Sequence, residues 1–447
     1  ADKGDYRRAL GCLSQAALLN PRSWITLTAL AGVYVHLESL EMASHILERA
    51  LALKPNESTI LTTLGEIYSE EREYEKACDA YAAALQAEPG MHEAGIGLAR
   101  ANASLGRDAE AAAVFERLWD GGLHTLDIMT GLVGLPPVVV RKNLLTELGR
   151  VIPEPTDSKA DFDTEVAFIR ASALDRAGRH GEAWQDAMTA NRAMAAKVEK
   201  SLAAESAHRQ AKLATSRTDT LRIASPRQDE TQPLSLFILG PSRSGKTTLE
   251  ALVGTLDGVR RGYENPSLEN AISRTYQEAG LINTYSLDHM PPQFYPQLRE
   301  FYAEELARRA ASAKVFTNTH PGYIEEVAQI AAILPNTRFI FVKRNVDDNA
   351  LRIFMRRYRK GNPHSYELKA ARQYIEWYHA MIDALAARLP DIARVVSYEE
   401  MVADPAGAVQ IAATLCGLPK PEQPLPAIGD DRNCAAPYRD RFSAAHA

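Results

Sequence analysis

Cysteine is scarce: four among 447 residues, at Cys12, Cys78, Cys416 and Cys434, with no C-x-x-C spacing. That argues against a disulfide framework and a cysteine zinc site, and it suits a reducing cytoplasm. No apolar run approaches the roughly 18 residues that a membrane span needs. Charge of one sign is lacking too, the formal net charge being −6. No global basic field therefore points to nucleic acid or an anionic membrane. The opening ADKGDYRRAL has neither a signal-peptide pattern nor an initiating Met, so trimming of a longer parent is expected. The length predicts two or three domains.

What the first half does have is a period. Pro21, Pro55 and Pro89 fall 34 residues apart, as do Leu30, Leu64 and Leu98. Ala9, Ala43, Ala77 and Ala111 keep that spacing, as do Ala16, Ala50 and Ala84, and Tyr34 matches Tyr68. Small residues in phase let antiparallel helices approach closely, and a proline just past a helix stops it. The pattern resembles tetratricopeptide repeats, the first represented by its second helix alone. The phase is lost after LWDGGLHTLD and returns where Ala183 and Ala190 keep the offset of Ala77 and Ala84. TSRTDTLRIASPRQDETQP reads as a linker. The expected organisation is a helical repeat domain over 1–215, a linker over 216–233 and a second domain over 234–447. Such a solenoid offers a concave surface to a peptide, protein or glycan, or serves as a packing scaffold, and a homodimer stays open.

In the second half LSLFILG feeds a turn and then the helical KTTLEALVGTL. The turn contains Gly240-x-x-x-x-Gly245-Lys246-Thr247, the phosphate-loop pattern, in the strand–loop–helix context it requires. Backbone N–H groups and the helix start would face an anion, with Arg243 or Lys246 supplying charge. AKVFTNT, TRFIFVKRN and ARVVSYEE are three further strand-like runs separated by helical segments. The predicted fold is an N-terminal all-α repeat solenoid followed by an α/β P-loop-type domain with a mostly parallel sheet. A P-loop kinase would need an Asp at a neighbouring strand end to hold magnesium, and none of the later strands ends in one. TRFIFVKRN ends instead on Lys343-Arg344-Asn345, a cationic terminus suited to a phosphate.

Beyond these residues the chain resembles bacterial TPR-sulfotransferases, which join such repeats to a sulfotransferase domain, and tyrosylprotein sulfotransferases. PSRSGKTT is similar to their P-R-S-G-T-T loop. FIFVKRNVDDNALRIFMRRY is similar to their second cofactor signature, and IARVVSYEEMVADPAGAVQIAATLCGLP to a later stretch. The resemblance implies the donor 3′-phosphoadenosine 5′-phosphosulfate (PAPS) and no metal. Ser242, Arg243, Ser244, Gly245, Lys246, Thr247 and Thr248 would hold the 5′-phosphosulfate. Arg344 falls on the Arg that binds the 3′-phosphate, Asp348 on the family's Asp, and Arg352 stands where the family has Ser. Lys246 replaces the family's first Thr and could put a second cation on the bridging oxygen.

Two residues compete as general base. Glu264 in VRRGYENPSLE aligns with a glutamate of the family and, partly desolvated, could take the acceptor proton. His320 in TNTHPGY resembles the histidine base of cytosolic sulfotransferases and needs no tuning near neutrality. Arg352, Arg356 and Arg359 would share a helix face, either binding the cofactor or an acidic acceptor or lying solvated. The expected activity is sulfuryl transfer to a carbohydrate, peptide tyrosine or metabolite hydroxyl. The alternatives are a P-loop kinase or NTPase and a non-catalytic nucleotide-binding adaptor.

Overall fold

The computed structural model describes residues 3–37, 39–154, 158–218, 232–284, 286–310, 312–358, 361–421 and 424–444. Most of the expected linker (219–231) lies outside them, as do Arg359 and Lys360. The chain divides into two compact units, Ala1–Ala177 and Gly178–Ala447.

The first unit is helical: α1 (Lys3–Leu19), α2 (Trp24–His36), α3 (Leu40–Leu53), α4 (Ser58–Glu70), α5 (Tyr74–Ala87), α6 (His92–Leu105), α7 (Asp108–Asp120), α8 (Leu126–Gly134), the short α9 (Leu144–Glu147) and α10 (Lys159–Arg176). Each of α1 to α7 packs on the next. The in-phase alanines explain the packing, since Ala43, Ala50, Ala77, Ala84 and Ala111 are all fully buried. Pro21, Pro55 and Pro89 occupy the turns that follow α1, α3 and α5. Tyr81 of α5 lies against Gly97 of α6 so closely that a Cβ there would stand 2.3 Å from the phenol ring. Gly97→Leu should therefore destabilise the repeats by about 1–3 kcal/mol, read as a lower urea midpoint, and Tyr81→Ala in the same chain should recover part of the loss.

The second unit opens with α11 (His180–Thr218), a single helix of 39 residues. There follow β1 (Leu234–Leu239), α12 (Lys246–Val253), β2 (Val259–Arg260), α13 (Ser267–Glu278), α14 (Tyr295–Ala310), β3 (Val315–Asn318), α15 (Val327–Ile333), β4 (Thr337–Lys343), α16 (Val346–Phe354), α17 (Leu368–Arg388), β5 (Ala393–Ser397), α18 (Tyr398–Ala403), α19 (Pro405–Cys416) and α20 (Arg439–Ala444). All strand pairs are parallel, in the order β2-β3-β1-β4-β5. β1 is therefore central, and the loops after β3 and β4 flank the turn that leaves it. Such a crevice at the carboxyl ends is where open α/β sheets bind ligands. Phe237, Phe339 and Phe341 are fully buried on one face of the sheet, and on the other Leu236, Ile238, Ile340 and Val342 join an aliphatic cluster with Leu249, Leu252 and Val409.

The division between units falls earlier than the sequence boundary at 215, because α11 packs on the α/β elements. Asn191 Nδ2 donates to the Phe354 carbonyl (2.8 Å), and Trp377 Nε1 donates to the Arg209 carbonyl (2.7 Å). Buried His364 meets Glu205 at 3.1 Å, and the Arg209 guanidinium lies 5.3 Å from the Tyr374 ring centre. Among the described residues no helix is long and apolar enough to cross a membrane.

Candidate active site

The turn from β1 into α12 has two residues in the left-handed region, Arg243 at φ 64° and Gly245 at φ 97°. Left-handed residues so spaced form a concavity of backbone N–H groups that suits an anion. Gly245 is obligatory twice over: its φ is strained for other residues, and a Cβ would stand 2.5 Å from the Tyr398 ring. The loop's carbonyls are tied off from outside. Asn349 Nδ2 donates to the Ser242 carbonyl (2.7 Å) and Arg344 Nη1 to the Arg243 carbonyl (3.0 Å). Ser244 Oγ is buried with no partner among the described residues. Arg243 and Thr247 are exposed, and Ser242 and Thr248 are half-buried.

Lys246 begins α12 and is buried, yet its Nζ lies 3.1 Å from Glu264 Oε1. The loop carrying Glu264 is held by a second α12 side chain one turn on. Glu250, fully buried, accepts the Tyr263 N–H (2.8 Å) and the Thr317 hydroxyl (2.5 Å), while Thr317 Oγ1 accepts the Gly262 N–H (2.9 Å). Those bonds fix Tyr263 at φ 58°, an uncommon conformation for an aromatic residue. Burial raises the Glu250 pKa, with Arg261 and Thr317 opposing the shift. The Glu264 side chain is 39 % exposed, so the protein desolvates it less than the sequence reading expected.

His320 follows β3. Its backbone N–H donates to Asn318 Oδ1 (2.9 Å), and its Nδ1 is buried without a partner among the described residues. Asn318, the last residue of β3, is buried and donates from Nδ2 to the Asn265 carbonyl (3.0 Å). The loops bearing Glu264 and His320 are thus joined directly.

Arg344, at the end of β4, is nearly fully buried and stacks over Tyr398, 4.3 Å from the ring centre. Its Nη2 donates to the backbone oxygen (2.7 Å) and to Oδ2 (2.9 Å) of Asp431. Arg352 donates from Nε to the same Oδ2 (2.7 Å) and from Nη2 to Oδ1. Asp348 accepts the N–H groups of Asn433 (2.7 Å) and Ala435 (2.9 Å). The pKa of Arg356, beyond α16, is lowered to about 10, chiefly by the neighbouring Arg243 cation. Neither Arg243 nor Arg356 has a carboxylate partner among the described residues. In the tail, Arg441 Nη1 donates to the His180 carbonyl (3.2 Å). Asp288 pairs with Lys212 and Gln329 beside a cavity of about 460 Å³ that Glu325 and Arg388 also line.

Sequence reasoning missed Glu250, Thr317, Asn349 and Asp431. One signal for Glu250 was legible: a carboxylate between the core residues Leu249 and Leu252 of an apolar helix needs buried partners. Asp431, in irregular chain, left none.

Residues 233–422 match the sulfotransferase family and residues 62–120 match the tetratricopeptide repeat. The chain joins tetratricopeptide repeats to a sulfotransferase-family domain. No curated protein sequence matches it. Solved structures similar to parts of it include a sulfotransferase from Alicyclobacillus acidocaldarius, 14% identical, covering 48% of this chain and 92% of that one at a TM-score of 0.29. A sulfotransferase domain from the curacin biosynthetic pathway is 16% identical, covering 45% and 79% at 0.29. Pseudomonas aeruginosa PilF is 16% identical, covering 42% and 84% at 0.36.

Two outcomes test this geometry. Glu250→Ala strands the Tyr263 N–H and the Thr317 hydroxyl and should cost about 2 kcal/mol or more in urea unfolding. Arg356→Gln removes a cation crowded by Arg243, so its melting temperature without ligand should rise while its stabilisation by added pyrophosphate should shrink.

Proposed function

We propose that the α/β unit transfers a sulfuryl group from PAPS to an acceptor hydroxyl by in-line displacement, with the repeats recruiting or positioning the acceptor. The observation that carries this reading is the Lys246–Glu264 pair at the mouth of the phosphate loop, with exposed Arg243 beside it. One cation to hold an anionic group and one carboxylate to accept a proton stand together at the strand ends, which is what hydroxyl sulfation asks of a protein.

The residues fit the 5′ end of such a donor. Partnerless Ser244 Oγ, the left-handed turn and the Arg243–Arg356 pair all favour a bound anion. When bound, the donor supplies an activated sulfuryl group and a phosphate leaving group. The loop amides, Arg243 and Lys246 hold that end and stabilise charge on its oxygens. Ser244, Thr247 and Thr248 add hydroxyl donors. Glu264 takes the acceptor proton, oriented by Glu250 through Tyr263 and by Lys246. His320 is the alternative base, its buried Nδ1 having no hydrogen-bond partner among the described residues. Arg344 and Arg352 are assigned to the 3′-phosphate. The acceptor is a carbohydrate, a peptide tyrosine or a metabolite, and a reducing cytoplasm suits the four free cysteines.

Thermal unfolding with added nucleotides tests the donor. Adenosine 3′,5′-bisphosphate should raise the melting temperature without magnesium, and ATP with magnesium should raise it less; the reverse order would favour a kinase. With labelled PAPS and an acceptor panel, Glu264→Gln should lower kcat by about 10²–10⁴-fold, and Glu264→Gln turning over normally while His320→Ala is inactive would exchange the two roles.

A further inference from the structure

The two cations assigned to the donor's 3′-phosphate are already on an anion. Arg344 from the end of β4 and Arg352 from α16 converge on the carboxylate of Asp431, which the chain brings back from 79 and 87 residues away. Through its other nitrogen, Nη1, Arg344 also holds the Arg243 carbonyl, so this carboxylate sits one guanidinium away from the phosphate loop. Two guanidiniums around one anion is an arrangement that fits phosphate as well as carboxylate.

A carboxylate leaves this pocket incompletely used. Arg344 is 5 % exposed, and its Nε is buried with no acceptor among the described residues. A carboxylate offers two oxygens, whereas a phosphate monoester offers three and a second charge. The unused donor therefore points to a larger anion than Asp431.

Asp431 is also able to leave. Its side chain is 36 % exposed. The segment around it is anchored by other groups: the Asn433 and Ala435 N–H groups on Asp348, and buried Tyr438 against His180 (3.3 Å) and Trp184. Rotation of the Asp431 side chain towards solvent breaks none of those contacts. Burial pushes its carboxyl up, but Arg352 and then Arg344 outweigh it and hold the group below the usual carboxylate range, so it remains a charged competitor.

The geometry points to Asp431 as the residue that sets the site's discrimination for a nucleotide's second phosphate: its carboxylate stands on Arg344 and Arg352 in that phosphate's place, and a 3′-phosphorylated nucleotide seats fully only by displacing it. This rests on the donor reading above. The consequence is selective. Replacing Asp431 strengthens binding of a nucleotide with a 3′-phosphate and leaves one with a 5′-phosphate alone unchanged.

Isothermal titration of the full chain with adenosine 3′,5′-bisphosphate and with adenosine 5′-monophosphate tests it. Asp431→Asn keeps the side-chain shape and removes the charge; Asp431→Ala removes both. Circular dichroism and melting temperature establish that each variant is folded, and Asp431→Asn serves if Asp431→Ala is not. The expected result is a gain of about tenfold or more for the bisphosphate, with the monophosphate changed less than about twofold. Bisphosphate affinity that is unchanged or lower in the folded variants overturns the proposal. Equally tight bisphosphate binding by all three proteins leaves the donor reading standing and removes Asp431's role. Monophosphate binding with no bisphosphate binding in any of them removes both.

Discussion

The second unit depends on a turn that only glycine can make. At Gly245 the chain takes φ 97° with the Tyr398 ring where a Cβ would be, and α12 starts at the next residue. That fixed start decides what the helix presents. Lys246 and Glu250, one turn apart, share a face and together secure the loop after β2, one through the Glu264 carboxylate and the other through the Tyr263 amide. A small shift in the turn would move both contacts at once, and with them the loop that carries Glu264.

The crevice gathers more cations than it exposes. Lys246 is matched by Glu264, and Arg344 and Arg352 by Asp431. The cost of desolvating those three side chains is thereby met within the chain, by carboxylates that themselves keep partial contact with water. Arg356 stands differently: its first unfavourable neighbour is another cation, Arg243. An anion between cations of this kind removes repulsion as well as adding attraction, which is why such pairs recur where oxyanions bind.

α11 extends this arrangement to the chain's end. Its first turns carry His180 and Trp184, which pack on Tyr438, while its later turns present Glu205 and Arg209 to His364 and Tyr374. Tyr366, in the turn that His364 shares, donates to the Tyr358 carbonyl (2.6 Å), and the Tyr358 hydroxyl reaches Ser242 Oγ (3.3 Å). One helix therefore supports both the C-terminal segment that carries Asp431 and the residues behind the phosphate loop.

The sequence by itself determined what depends on neighbours in the chain. A 34-residue spacing of alanines and prolines was enough for the repeat helices, because each buries small residues against the next helix along. The apolar LSLFILG, a glycine turn and a helical run were enough for β1, the phosphate loop and α12. Arg243, Lys246 and Arg344 could be singled out for the same reason, standing at ends of elements that the pattern located. β2 was not legible as a run, since two residues carry no period. The loss of α11 from the repeat unit was not legible either, because its alanines continue the repeat spacing while Asn191, Glu205 and Arg209 find their partners on the α/β elements. Only the tertiary structure decided the pairings Lys246–Glu264, Glu250–Tyr263 and Asp431 with Arg344 and Arg352. Periodicity encodes which face of an element is buried, but the partner of a charge is set by where distant segments meet, and that is a property of the folded chain.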